Sequence, residues 1–171
     1  MNRTKMLALV ALMAALANVL SIPPIAIPIT LVDFQTEFHF TQLPVLIAGI
    51  LGGPVAGLVT GAIGGLLSSF VVFPRIAFIV GGLAILGVAA AFFAKRLRPL
   101  FAGALAWLVQ APYVTITDYV WFTLFLPQKM APQAAWALVG SLLIKLTIEV
   151  VISSALAEVI IAYLKKARMT L

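Results

Sequence analysis

At 171 residues, 64% of them hydrophobic and only 9% charged, the chain lies far from the roughly 25% charged residues of a soluble domain. That leaves too little polar surface for a water-soluble globule, and the length holds a single membrane domain of about six helices, since one span takes about 20 apolar residues. The absence of cysteine excludes disulfides, thiolate metal sites and thiol nucleophiles. The net charge of +6 bears on topology, through its placement, rather than on nucleic acid.

The first predicted helix, 6–22, follows Arg3 and Lys5. A basic start, an apolar core and the triplet Ala15, Leu16, Ala17 also describe a cleavable signal peptide. Against that, Ala8, Ala11, Ala15 and Asn18 share an arc of about 80° on a helix, a small-residue face of the kind through which membrane helices pack. Residues 21–39 read as a long external loop, a common site of functional lids. Pro23, Pro24 and Pro28 stiffen it, and Asp33, Glu37 and His39 give it polar groups without a convincing metal-ligand spacing.

Helices 40–52 and 55–72 carry the strongest pattern, GILGGPVAGLVTGAIGG, in which Gly49, Gly53, Gly57, Gly61 and Gly65 recur every four residues. The last four draw a groove along the third helix, extended by Gly64 and Ser68. Two readings stay open: tight packing within the subunit, or a smooth surface that docks against another membrane protein. The second helix reaches only about 20 Å and falls short of a bilayer core of about 30 Å, so its outer end requires a protein-lined surrounding.

Helices 76–94, 100–126 and 134–164 complete an all-α set of six, without the two-residue alternation of barrel strands. Basic residues alternate between the gaps. Arg3, Lys5, Lys95, Arg96, Arg98, Lys165, Lys166 and Arg168 fall on one side, Arg75 and Lys129 on the other, and Lys145 lies within a span. By the positive-inside rule both termini and the 95–99 loop are cytoplasmic, as six crossings require.

Ionisable groups inside spans mark function by default. On the last helix Ser141, Lys145, Glu149 and Ser153 form one ridge at four-residue spacing, with Glu158 nearer the cytoplasm. Lys145 lies about 17 Å and Glu149 about 23 Å from Ala134 along the axis, both at membrane depth. Lys145 and Glu149 either neutralise each other as an i, i+4 pair or offer the ammonium to a ligand, with Glu149 holding it in place. On the fifth helix Gln110, Tyr113, Thr117 and Trp121 share an arc of about 80°, with Asp118 beside it and Pro112 able to kink the helix. Aromatic side chains with a few convergent polar groups suit a planar heterocyclic ligand. Arg75, Glu37 and His39 are candidates to join from the outer side.

The chain has no P-loop, HExxH or Ser-His arrangement, so neither an ATPase nor a hydrolytic enzyme is expected, and no cofactor. A stand-alone secondary transporter, an assembly subunit and an intramembrane enzyme are the alternatives to a capture subunit.

These residues resemble the S components of energy-coupling factor (ECF) vitamin transporters along the whole chain. The likeness is carried by Ala11 and Ala15 at AxxxA spacing, the long first loop, LPVLIAGILGGPVAGLVTGAIGG, and Lys145 within SLLIKLTIEVVI, which looks like the final helix of flavin-type members. The resemblance implies a high-affinity binding subunit in a prokaryotic cell membrane. It would take a vitamin or cofactor precursor, riboflavin first, at the outer face and carry it inward by tilting. Its implied partners are a transmembrane coupling subunit, met through Ala11, Ala15, Gly53, Gly57, Gly61 and Gly65 on helices one to three, and two cytoplasmic ATPases.

Overall fold

Proline and glycine set the helix boundaries. Pro54, Pro99 and Pro132 open helices at the first position, where the missing N–H has no intrahelical partner to lose. The computed structural model describes residues 2–22, 25–31, 34–67, 76–126 and 129–167. Among the described residues six helices follow the apolar runs: α1 Arg3–Val19, α2 Gln42–Gly52, α3 Pro54–Gly64, α4 Ile76–Phe93, α5 Pro99–Val120 and α6 Pro132–Lys166. A π-helical turn, Trp121–Phe125, extends α5 and is closed by the Leu126 N–H on the Trp121 carbonyl at 3.1 Å. Pro112 lies inside α5, which continues through it.

Two elements differ from the sequence expectation. The segment 21–39, read as a loop, holds an antiparallel hairpin of β1 Ile27–Leu31 and β2 Phe34–Phe38, in register from Ile27 opposite Phe38 to Leu31 opposite Phe34. Alternating Ile27, Ile29 and Leu31 against Phe34, Thr36 and Phe38 is strand-like patterning, and a two-stranded ribbon has only edges, where Pro28 is tolerated. The third helix, expected to run to 72, stops at Gly64, with Gly65 as its C-cap. Ser68 and Arg75 lie outside the described residues, as do Pro23, Pro24 and Asp33.

The exposed surface is apolar where a soluble protein's is polar, and ionisable groups lie inside. On α6, Ile144 and Val159 are 66% and 67% exposed while Lys145 is 7% and Glu149 0% exposed. Leu7, Leu12, Val55, Leu108 and Ile116 are also exposed. Apolar side chains outward and ionisable ones inward suit a hydrocarbon surround. Among the described residues two helices are long and apolar enough to cross a bilayer, Pro99–Phe125 and Pro132–Lys166.

The glycine ridge packs inside the subunit. A Cβ on Gly49 or Gly57 would overlap the Gly87 carbonyl of α4, and one on Gly61 the Leu83 carbonyl. Backbones approach this closely where small residues line the contact, on both sides at Gly57 and Gly87 and on the α3 side alone at Gly61. Gly53 joins α2 to α3 at φ 85°, ψ −176°, a conformation nearly restricted to glycine. The groove expected to dock a partner through Gly57, Gly61 and Gly65 is thus occupied from within: all three are buried, and Gly53 is required by the turn. Ala11 and Ala15 on α1 are exposed, whereas Ala14 and Ala17 on its other side are buried.

Asn18 secures the break at the end of α3. Its Nδ2 donates to the Ile63 carbonyl and the Ala14 carbonyl, both at 2.9 Å, and its Oδ1 accepts the Leu67 N–H at 2.8 Å. The Ile63 carbonyl and the Leu67 N–H are groups that an uninterrupted helix would have paired with each other. The contacts of Asn18 with Ile63, of Gly57 with Gly87, and of Trp107 with Thr147 run neighbouring helices alternately up and down. The hairpin and the start of α2 therefore lie at the end of the bundle opposite the 94–99 turn.

Candidate functional site

Three segments meet at Glu149. Its Oε1 accepts the backbone N–H of His39 at 2.7 Å and lies 3.0 Å from Lys145 Nζ, and its Oε2 accepts Gln42 Nε2 at 3.0 Å. His39 follows β2, Gln42 opens α2, and the ion pair is intrahelical on α6, so one carboxylate ties hairpin, short helix and long helix together. A carboxylate bonded by charged and neutral donors is held more rigidly than one in water, because charge-assisted bonds are about twice as strong as neutral ones. Glu149 is fully buried and Lys145 nearly so. Both carboxylate oxygens are engaged by protein donors, which gives Glu149 the holding position. The Lys145 ammonium has two more N–H groups than its single bond to Glu149 uses.

His39 extends the cluster. Its Nδ1 lies 3.1 Å from the Thr41 hydroxyl. Burial, then the Lys145 ammonium, lower its pKa from 6.5 to about 3, so the ring is neutral. Phe38 and Phe40 flank it with rings 5.5 Å apart and nearly perpendicular. Gln42 Oε1 and Ser153 Oγ are buried without a hydrogen-bond partner among the described residues, and so is Glu37 Oε2 on the hairpin. Unpaired buried acceptors of this sort are costly unless something else meets them.

The candidates on α5 lie on a second patch. Gln110 and Tyr113 meet α4 at a glycine pair: a Cβ on Gly81 would overlap the Tyr113 hydroxyl, and one on Gly82 would come within 3.2 Å of Gln110 Nε2. Gln110 is buried, with its Oε1 unpaired among the described residues. The Thr117 hydroxyl donates to the Tyr113 carbonyl at 2.8 Å and the Ser141 hydroxyl to the Ala137 carbonyl at 3.0 Å, so both are turned onto their own helices. Asp118 is buried at 9% exposure. Trp121 stacks on Phe125 at 5.7 Å. Phe122, which an interfacial aromatic belt would expose, is fully buried against Ala135, Leu138, Val139 and Leu142 of α6.

Of the residues expected at the site, the structure gathers Lys145, Glu149 and His39. Gln110 and Tyr113 face α4, and Arg75 lies outside the described residues. Gln42 and Thr41 were missed. Their signal was two polar residues at the head of an apolar run, both of which prove buried.

The family model of the ECF transporter substrate-specific component matches residues 5–161. The chain belongs to this family. It is thus a membrane-embedded substrate-binding subunit of an ECF transporter and not an enzyme. Such components bind small molecules and pair with a transmembrane coupling subunit and ATPases. A solved structure described as the S component of a bacterial ECF transporter superposes with a TM-score of 0.65, covering 98% of each chain at 20% identity. At that identity the likeness is one of fold. No curated protein matches the chain.

Proposed function

We propose that this subunit captures a vitamin or cofactor precursor, a planar riboflavin-like molecule first, at the hairpin end of the bundle. Lys145 offers its ammonium to a carbonyl or anionic group of the ligand, and Glu149 and the neutral His39 orient it. The observation that carries this reading is the buried carboxylate joining hairpin, α2 and α6, with polar atoms of Glu37, Gln42 and Ser153 on those same elements buried and unpaired among the described residues. Asp118 on α5 and Trp121 on its π-helical extension are the candidates left for further polar and aromatic contacts, since Gln110 and Tyr113 face α4 and the Thr117 and Ser141 hydroxyls bond their own helices. The eight-to-two distribution of basic residues supports six crossings of a prokaryotic cell membrane, with termini and the 94–99 turn in the cytoplasm and the hairpin outside.

On this reading the ligand moves inward as the subunit tilts against the coupling subunit, driven by two ATPases. The exposed Ala11 and Ala15 face supports α1 as a surface available to that partner, since its other side is already packed on the bundle. Native mass spectrometry of the purified subunit tests the proposal. A tightly held heterocyclic small molecule is expected, released by denaturation. A subunit that neither retains nor takes up any vitamin-class compound would overturn it.

A further inference from the structure

The opposite end of the bundle carries a second feature that substrate capture does not use. A cavity of about 490 Å³ is lined by Lys95, Arg96, Arg98, Pro99, Glu158 and Lys165, among others. Four cations face one carboxylate. Glu158 is already engaged: its Oε2 accepts the Leu100 N–H at 3.1 Å and its Oε1 lies 3.4 Å from Arg98 Nε. Lys95, Arg96 and Lys165 have no carboxylate partner among the described residues.

A second, apolar groove of about 580 Å³ runs along α4 between α3 and α5, lined by Leu58, Gly81, Ile85, Val88, Phe92 and Val109 with their neighbours. The two meet at one point. Phe92 and Phe93 line the end of the groove, Ala94 and Lys95 line the start of the charged cavity, and Lys95 Nζ lies 5.0 Å from the centre of the Phe92 ring. From Phe92 to Gly81 the helix rises about 17 Å, close to one leaflet of a hydrocarbon core of about 30 Å.

We propose that this composite holds one anionic phospholipid of the leaflet on that side. The phosphate sits among Lys95, Arg96 and Lys165, and one acyl chain lies along the α4 groove. A phosphate headgroup complements the unpaired cations, and only a molecule with both an anion and a chain uses the two cavities at once. Basic pockets at the cytoplasmic ends of membrane helices are suited to such headgroups. The site is at the end of the bundle away from Lys145 and Glu149, so it stands or falls independently of the substrate reading.

The test is lipid retention by the full-length subunit in detergent, read by native mass spectrometry and by thermal shift. The probes are phosphatidylglycerol, phosphatidylcholine, diacylglycerol and glycerol phosphate. Phosphatidylglycerol is expected to bind in preference to the others and to raise the Tm. Lys95→Gln/Arg96→Gln/Lys165→Gln should weaken it by roughly two orders of magnitude, about fivefold for each charge, and Val88→Trp should weaken it by blocking the groove. Vitamin binding should persist in both variants. Equal affinity for phosphatidylcholine, or glycerol phosphate binding as tightly as the lipid, would overturn the proposal. So would a triple variant that keeps its lipid but no longer assembles with the coupling subunit, since the patch would then be a protein interface.

Discussion

Glu149, in the interior of α6, accepts the backbone N–H of His39 at 2.7 Å across 110 residues of sequence. The bond goes to backbone, so no substitution at position 39 except proline removes it. The hairpin end is thereby fixed to the same carboxylate that pairs with Lys145.

Glu149→Gln leaves the Lys145 ammonium buried without its counter-ion. Losing one partner of a buried pair costs about 3–5 kcal/mol, and a comparable destabilisation is expected in detergent unfolding of the purified subunit. Adding Lys145→Met, which removes the stranded charge, should recover most of it. If the single variant is as stable as wild type, the pair does not hold the fold.

His39 makes stability depend on pH in one direction. Its pKa in the folded chain is about 3, below the ordinary 6.5, so the unfolded chain takes up the proton first. Stability is full above about pH 6.5 and falls as pH drops from there toward 3. His39→Asn should flatten that dependence, measured as Tm against pH.

Small-residue positions should separate into two classes. Gly61→Leu drives a side chain into the Leu83 backbone, and overpacking of this kind costs about 1–3 kcal/mol or more. Ligand binding and uptake should fall together, with a lowered Tm. Ala15→Leu, on an exposed face, should leave Tm and ligand affinity unchanged and reduce uptake by the reconstituted transporter. Unimpaired uptake would remove α1 from the docking surface.

The Lys145, Glu149 and Ser153 ridge was legible in the sequence because i, i+4 spacing fixes which side chains share a helix face. Helix starts were legible from Pro54, Pro99 and Pro132. What a face meets was not. The glycine ridge has one pattern whether a partner or the chain's own α4 covers it, and only the structure places Gly87 over Gly57. The same holds for Gln110 and Tyr113, whose shared arc turns toward Gly81 and Gly82. The hairpin escaped notice because its alternation is only five residues long on each strand and contains a proline. The tie of Gln42 to Glu149 spans 107 residues, a separation that no local periodicity encodes.

The most direct measurement of the central claim is the affinity of Lys145→Met/Glu149→Gln for the small molecule that co-purifies with the wild-type subunit. The double variant strands neither charge of the pair, so its Tm should stay close to wild type. Loss of a hydrogen bond from a charged group weakens binding by about tenfold or more, and that is the predicted result. An unchanged Kd in a folded double variant would contradict the assignment of Lys145 to the ligand.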